Sequence, residues 1–234
     1  MQKKTIVVHS GGMDSSICLA LAIEQYGAQN VLAMSFTYGQ RHSQELLYAQ
    51  KICEEWGVER IVIDLNCLNE ITENALLNKK TKIEYSQDNI PNTLVVGRNG
   101  LMARIAAIHA HHLGAKSIFM GVIEIEEANS GYRDCSRKYM DIIQAGLRMD
   151  FAEPEFEIKT PLVYMTKLQT MELAYQIGKL HFLLENTLTC YEGIPKQGCG
   201  KCPACKLRNE GIKEFCKLHP DFGFSYYSEV CSKS

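Results

Sequence analysis

Short apolar runs of strand length alternate along this chain with longer segments in which apolar residues recur at helical spacing. The apolar runs occupy residues 5–9, 31–36, 60–65, 117–122 and, more briefly, 156–158. The helical segments occupy residues 17–23, 43–56, 97–113, 137–149 and 166–177. Strands that alternate with helices form right-handed βαβ units, so the pattern predicts an α/β fold: a Rossmann-like parallel sheet with helices on both faces.

Several polar segments come directly after predicted strands. They are residues 10–15, 38–41, 97–99 and the segment after Val122. Ligands of such sheets bind at the carboxyl edge, near the point where the strand order reverses, so we expect these segments to converge on one cleft. Residues 67–92 are polar and weakly periodic, which predicts a short helix and a mobile loop over that cleft.

The first polar segment has the sequence Ser10-Gly11-Gly12-Met13-Asp14-Ser15. Adjacent glycines let the backbone turn sharply, and the following helix N-terminus presents unpaired N–H groups to an anion. Phosphate loops commonly carry a lysine here. This chain has Asp14 instead, which suits a Mg²⁺ ion shared with phosphates. A plain strand-to-helix turn is the alternative. The predicted ATP contacts are His9, Ser10, Gly11, Gly12, Met13, Asp14, Ser15 and Ser16.

A cluster of cysteines near the C-terminal end supplies enough thiolates for a closed metal site. Its members are Cys190, Cys199, Cys202 and Cys205. Four thiolates suit a tetrahedral, structural Zn²⁺, and the nearby lysines 196, 201 and 206 would offset the negative charge. A [4Fe–4S] cluster and free redox-active thiols are the alternatives. We expect most of the six scattered cysteines to be buried apolar residues or inert thiols.

Composition narrows the class of protein. The chain has 234 residues, 46% of them hydrophobic and 22% charged, and a net charge of −2. We expect one domain over residues 1–234, with a nucleotide-binding core over 1–180 and a zinc-binding segment over 181–234. A weak basic footprint favours a small-molecule substrate over nucleic acid. Neither a membrane-length apolar run nor a signal peptide is evident, so we expect a cytoplasmic protein.

Taken together, the motifs resemble those of the 7-cyano-7-deazaguanine synthase family of the queuosine pathway, over nearly the whole chain. Besides the loop and the cysteine cluster, the resemblance rests on residues 38–42, 90–93, 97–99, 130–132, 134–135, 160–162 and 187–191. The loop alone indicates only the superfamily of pyrophosphatase-loop ATPases. The chain departs from the family at Val96 and Arg133, where prolines are usual, and at Ser136, where arginine is usual.

The resemblance implies an adenine nucleotide alpha hydrolase-like core and a homodimer. It also implies an enzyme that uses ATP with Mg²⁺ to convert 7-carboxy-7-deazaguanine and ammonia into the nitrile. Asp14, Arg41 and Arg98 would be catalytic, since arginine forms bidentate pairs with phosphate and carboxylate. The substrate would contact Arg98, Asn99 and Asp134. A surface salt bridge is the alternative role for each arginine, and a helix N-cap is the alternative for Asp134.

Other functions share these motifs. A related ATPase could adenylate another carboxylate, and a tRNA-thiolating ATPase could carry the same loop. The latter would need a catalytic cysteine near ATP and a basic surface. A non-catalytic zinc- and nucleotide-binding module is a third possibility, although a mere binder has no need of the metal-binding carboxylate of Asp14. The sequence alone identifies no general base.

Overall fold

The computed structural model describes residues 3–38, 44–68, 95–124, 132–223, 227 and 230–231. Its centre is a five-stranded sheet in which every pairing is parallel. The strands are β1 Thr5–Val8, β2 Val31–Thr37, β3 Glu59–Asp64, β4 Ser117–Phe119 and β5 Glu157–Lys159. Their spatial order is β3-β2-β1-β4-β5, so the order reverses between β1 and β4. The predicted Rossmann-like class is confirmed.

Seven α-helices flank the sheet within the described residues. They are α1 Met13–Tyr26, α2 Gln44–Glu55, α3 Arg98–His112, α4 Arg137–Phe151, α5 Lys167–Gln176, α6 Leu180–Asn186 and α7 Pro203–Leu218. The first five match predicted helices within a few residues. Thr166 begins α5 with a capping box, in which its side chain accepts from the Gln169 backbone and the Gln169 side chain accepts in return.

Side chains that alternate along the strands fill two separate cores, one on each face of the sheet. Ile6 faces α3 and α4, whereas its neighbour Val7 faces α1, α2 and the C-terminal helices. The buried face of α3 consists of Gly100, Met102 and four alanines, whereas Leu101 and Ile105 are partly buried and pack against the same core. Small side chains let this helix lie close to the sheet, and Ile108 remains 54% exposed.

Strand β4 is shorter than the predicted run because it ends at Phe119 rather than Val122. A β-carbon on Gly121 would lie 2.8 Å from the backbone nitrogen of Ser15, so glycine lets this segment approach the start of α1. Two further predictions, the start of the second helix at residue 43 and most of the short helix and loop predicted over residues 67–92, fall outside the described residues. The division of the chain at residue 180 stays a prediction.

Of the six scattered cysteines, two are paired with each other, which the sequence did not predict. Cys216 and Cys231 form a disulfide between α7 and the tail. Sequence spacing did not reveal this pair because the return of the tail onto α7 is a tertiary feature. Cys18, Cys53 and Cys135 are buried, and Cys67 is exposed. None of the described helices is both long enough and apolar enough to span a bilayer.

Candidate active site

The glycine-rich loop turns tightly between β1 and α1. Gly11 has a φ of +86°, and a β-carbon there would collide with the Glu45 carbonyl and lie 2.7 Å from the Ala49 nitrogen of α2. The Ser15 hydroxyl donates to the Gly12 carbonyl at 3.1 Å and accepts from the Ser10 N–H at 3.2 Å. These contacts hold the loop in one shape and leave the α1 N-terminus directed at the cleft.

His9 supports this loop from below. Its side chain is fully buried, with Nε2 3.0 Å from the Ser16 hydroxyl and Nδ1 3.6 Å from the Cys53 thiol. The Ser16 hydroxyl donates to the Gly12 carbonyl at 2.8 Å, so we assign the ring proton to Nε2. Burial, with a smaller effect of Arg60, lowers the pKa of His9 to about 3, and the ring is therefore neutral.

Asp14 forms an ion pair that the sequence did not predict. The Nζ of Lys167, the first residue of α5, donates to the Asp14 Oδ1 at 2.5 Å and to Oδ2 at 2.6 Å. Both side chains border the cleft. The only sequence signal was a lysine at the beginning of a predicted helix that follows a strand. An ammonium thus reaches the loop that lacks its own lysine.

The opposite wall of the cleft carries Arg98 and Tyr38. The Arg98 guanidinium lies 5.4 Å from the centre of the Tyr38 ring, and Nη1 donates to the Tyr38 hydroxyl at 3.4 Å. Burial works to lower the pKa of Arg98, but the neighbouring Tyr38, Tyr132 and Asp134 outweigh it and raise the pKa. Arg98 therefore remains a cation, held in place by an aromatic face.

Asp134 lies beside this wall and is 5% exposed. Its Oδ2 accepts the backbone N–H of Asn99 at 2.9 Å, so it caps the beginning of α3 rather than the helix that follows it in sequence. Its Oδ1 is buried and has no hydrogen-bond partner in the described part of the chain. A buried acceptor without a partner is uncommon in folded proteins. The Asn99 amide donates to the Cys135 sulfur at 3.3 Å.

Glu45 is a second cleft residue that the sequence did not single out. It lies half-buried in the first turn of α2 and borders the cleft together with Tyr38 and Arg98. Burial raises the pKa of its carboxyl group to about 7, and Arg98 moderates that rise. The sequence offers little indication of this role, because an acidic residue such as Glu45 is common in the first turn of any helix.

Most of these groups line one cleft of about 360 Å³ at the reversal of strand order. Asp134 does not border the cleft itself, although Asn99, which it caps, and its chain neighbour Cys135 do. The cleft is bordered by the loop with Asp14 and by Arg98 and Asn99, as their positions after strand ends predicted. Lys167, which was not predicted there, borders it as well. Arg41 lies outside the described residues. The departures Val96 and Arg133 are exposed, Val96 by 84%, and neither lines the cleft, although each lies near a residue that does.

The four clustered cysteines form a compact site in which every pair of sulfur atoms lies within 4.8 Å. Backbone N–H groups of Lys201 and Cys202 donate to the Cys199 sulfur. Burial works to raise the pKa of Cys199, but these bonds outweigh it and lower the pKa to about 7. Burial raises the pKa of Cys202 to about 12. Four cysteine sulfurs this close together form a donor set that fits a thiophilic metal.

The segment just before the cysteine cluster contacts the glycine-rich loop. The Leu188 N–H, two residues before Cys190, donates to the Gly11 carbonyl at 3.1 Å. Tyr191, Pro203 and Arg208 of the same region border the cleft. A metal on these cysteines would therefore brace one wall of the cleft.

Comparisons with known proteins give a family and a fold. The model of the family described as queuosine biosynthesis protein QueC matches residues 4–216. A curated protein from Lysinibacillus sphaericus (strain C3-41), named 7-cyano-7-deazaguanine synthase, is 42% identical over 222 residues, which cover 94% of this chain and 99% of that protein.

Solved structures with similar folds are more distant in sequence. NMN synthetase from Francisella tularensis has a TM-score of 0.50 at 13% identity, over 99% of this chain and 83% of the other. The U34-tRNA thiolase NcsA from Methanococcus maripaludis, solved with its [4Fe-4S] cluster, has a TM-score of 0.49 at 18% identity, over 99% and 71%. At such identities the likeness concerns the fold alone.

Proposed function

Because this chain belongs to the family of queuosine biosynthesis protein QueC, we propose that it converts 7-carboxy-7-deazaguanine and ammonia to 7-cyano-7-deazaguanine at the expense of ATP. One observation carries the proposal beyond the family. A single cleft joins the glycine-rich loop to a wall with a fixed arginine, and the unpartnered buried carboxylate oxygen of Asp134 lies next to that wall. The glycine-rich loop suits a triphosphate. The wall with the arginine suits a substrate that carries an acid group and N–H donors.

The reaction explains why ATP is needed twice. A carboxylate resists attack because its leaving group would be oxide or hydroxide. Transfer of an adenylyl group to one oxygen creates a good leaving group, and ammonia then displaces AMP to give the amide. The amide oxygen is adenylated in turn, and loss of the second AMP gives the nitrile. Catalysis of this kind depends mainly on positioning and on neutralising charge.

The triphosphate would occupy the loop end of the cleft. Backbone N–H groups of Gly11, Gly12 and Ser15, at the start of α1, would hold pyrophosphate. Lys167 would supply the cation that the loop itself lacks. Asp14 would carry Mg²⁺, which when bound with ATP neutralises charge on the leaving pyrophosphate. Arg41 remains a predicted phosphate ligand.

The deazaguanine would occupy the opposite wall. Arg98, fixed against the Tyr38 ring, suits bidentate contact with the substrate carboxylate or its phosphate ester. The free Oδ1 of Asp134 suits a hydrogen bond from the guanine-like N–H edge. Asn99 lies between the two and contributes to the same wall.

We assign Zn²⁺ to Cys190, Cys199, Cys202 and Cys205, as a structural ion. The support is the donor set: four sulfurs within 4.8 Å of one another leave no position for a reacting group. A cytoplasmic location is part of the proposal, and it rests on the ATP-dependent reaction proposed here rather than on the cysteines, two of which form a disulfide. A homodimer is also proposed, with the exposed Ile108 and Ile142 of α3 and α4 available for contact.

A thiolating activity would need an ionised cysteine at the ATP site. Of the described residues that border the cleft, Cys135 is the cysteine in question. Burial, aided by Asp134, raises the pKa of its thiol to about 12, so it stays neutral near pH 7. This disfavours a nucleophilic role.

The decisive experiment incubates the protein with Mg²⁺-ATP, ammonium and 7-carboxy-7-deazaguanine. We expect the nitrile by mass spectrometry, with AMP rather than ADP and two AMP for each nitrile. ADP, or AMP without the nitrile, would contradict the proposal. Calorimetry with a non-hydrolysable ATP analogue then separates substrate from nucleotide binding. A protein that binds the nucleotide but not the acid would be an ATPase for another carboxylate.

A further inference from the structure

We propose that Glu45 is the general base of the reaction, the group that removes N–H protons as the amide and then the nitrile form. The inference rests on the proposed function, because it concerns the reacting nitrogen of that same chemistry. Neither the sequence motifs nor the roles proposed for the glycine-rich loop assign a function to Glu45.

Proton balance requires a base in both halves of the reaction. When ammonia attacks the acyl adenylate, a C–N bond forms, the C–O bond to AMP breaks, and the nitrogen must release one proton to leave a neutral amide. In the second half the amide oxygen attacks the α-phosphorus and pyrophosphate leaves. The nitrogen of the resulting O-adenylated amide must then lose two protons, while AMP departs with the electron pair of the C–O bond.

The fold places Glu45 where it can serve both ends of the cleft. Its backbone carbonyl packs directly on Gly11 of the loop, so the residue is anchored beside the phosphate end. Its side chain borders the cleft with Arg98 and Tyr38, the wall assigned to the substrate. The cleft ammonium of Lys167 binds Asp14 rather than Glu45, and no ion pair joins Glu45 to another of the described residues.

The charged and titratable groups that face Glu45 explain how it can accept and release protons. Arg98 approaches from α3 and favours the ionised form, and Tyr38 approaches from the end of β2. Burial favours the neutral form and dominates, which brings the pKa to about 7. A base with a pKa near the working pH is both present in its basic form and strong enough to act.

The other candidate bases of the cleft are either bound to a neighbouring protein group or protonated near pH 7. The two ring nitrogens of His9 contact Ser16 and Cys53, and the ring is fully buried beneath the loop. The Cys135 thiol stays neutral and accepts from Asn99. The Asp14 carboxylate is paired with Lys167. Glu45 is the remaining carboxylate among the described residues that border the cleft and lack such a partner.

Two assays on four proteins test this role. The proteins are the wild type, Glu45→Gln, Glu45→Asp and the control Glu55→Gln, which alters an exposed glutamate of the same helix. The first assay is ATP–pyrophosphate exchange with the acid and no ammonia, which reports adenylation without N–H chemistry. The second is single-turnover conversion of the synthetic amide and ATP to the nitrile, from pH 5.5 to 8.5.

We expect Glu45→Gln to retain exchange within about 3-fold but to lose nitrile formation by about 100-fold or more, in the range typical of general-base loss. The wild-type rate should rise with pH and level off above about 7, and this rise should be absent from Glu45→Gln. Glu45→Asp keeps a carboxylate and should restore part of the rate with its pH rise. Glu55→Gln should behave as the wild type.

Three outcomes would overturn the inference. The first is a rate of nitrile formation by Glu45→Gln that lies within about 10-fold of the wild-type rate and has the same dependence on pH. Another is an equal loss of exchange and nitrile formation, which indicates a binding role. If Glu45→Gln fails to fold by circular dichroism, Glu45→Asp decides: a folded Asp variant without the pH rise refutes the role. Absence of exchange in the wild type would instead contradict the proposed function.

Discussion

The ammonium of Lys167 lies 2.5 and 2.6 Å from the two carboxylate oxygens of Asp14, although 153 residues separate them in the chain. This pair connects α5 to the start of α1 across the mouth of the cleft. It places one cation beside the carboxylate that we propose carries Mg²⁺. If ATP binds here as proposed, Lys167 would exchange its carboxylate partner for phosphate, and Asp14 would be released to hold the metal.

The first prediction tests this pair by removing each charge separately. Asp14→Asn keeps size and removes the metal-binding charge, and Lys167→Gln removes the cation. We expect each to lower AMP formation by about 100-fold or more, as is typical for loss of one group that stabilises developing charge. Circular dichroism should show an intact fold. The exposed Lys138→Gln is the control and should keep full activity, and near-normal AMP release by Asp14→Asn would refute the loop assignment.

The second prediction concerns the metal on the cysteine cluster. We expect one Zn²⁺ per chain by mass spectrometry of metals, lost in Cys199→Ser and kept in the control Cys67→Ser, which alters an exposed cysteine outside the cluster. Structural zinc contributes roughly 10–16 kcal/mol in model sites, comparable with the stability of a whole domain, so the C-terminal segment should unfold with it.

Loss of that metal should also weaken nucleotide binding. The Leu188 N–H, two residues before Cys190, donates to the Gly11 carbonyl, so disorder in this segment removes a support of the loop. Calorimetry on Cys199→Ser should show a weaker affinity for the ATP analogue, whereas Cys67→Ser should match the wild type. Visible absorption from an iron–sulfur cluster in anaerobically purified protein would contradict the zinc assignment.

The loop and the cysteine cluster were predictable because each is a short contiguous motif whose residues need no distant partner to be read. The parallel sheet was predictable because apolar runs alternate regularly with helical segments. Lys167 and Glu45 were not, since each becomes a cleft residue only when the sheet order brings α5 and α2 against the loop after β1. Which face of α3 meets the sheet was not predictable, because small alanines form most of that contact and larger apolar residues lie beside it.

The third prediction distinguishes shape from charge at Arg98. Arg98→Lys keeps the positive charge but loses the planar fork that contacts the Tyr38 ring and can pair with two oxygens. We expect affinity for 7-carboxy-7-deazaguanine to fall by about 10-fold or more, which corresponds to at least ~1.4 kcal/mol. ATP affinity should change little. Arg104→Lys, on the exposed part of the same helix, is the control, and equal loss in both variants would contradict a substrate role.

The last prediction concerns His9 and the pH dependence of stability. Burial lowers the pKa of His9 from 6.5 to about 3. Between these values the unfolded chain binds a proton that the folded chain excludes, so stability must fall as pH decreases through this window. The slope for one such group is about 1.4 kcal/mol per pH unit, which predicts a loss of roughly 2 kcal/mol between pH 7 and pH 5 from His9 alone.

His9→Gln removes the titrating ring while its amide can still donate to Ser16 and accept from Cys53. We therefore expect the variant to be less stable than wild type at pH 7, but to lose roughly 2 kcal/mol less stability on going to pH 5. Urea unfolding at both pH values measures this difference. His112→Gln, which removes an exposed imidazole on α3, is the control for loss of any histidine. An identical pH dependence in wild type and His9→Gln would show that the imidazole is not held neutral beneath the loop.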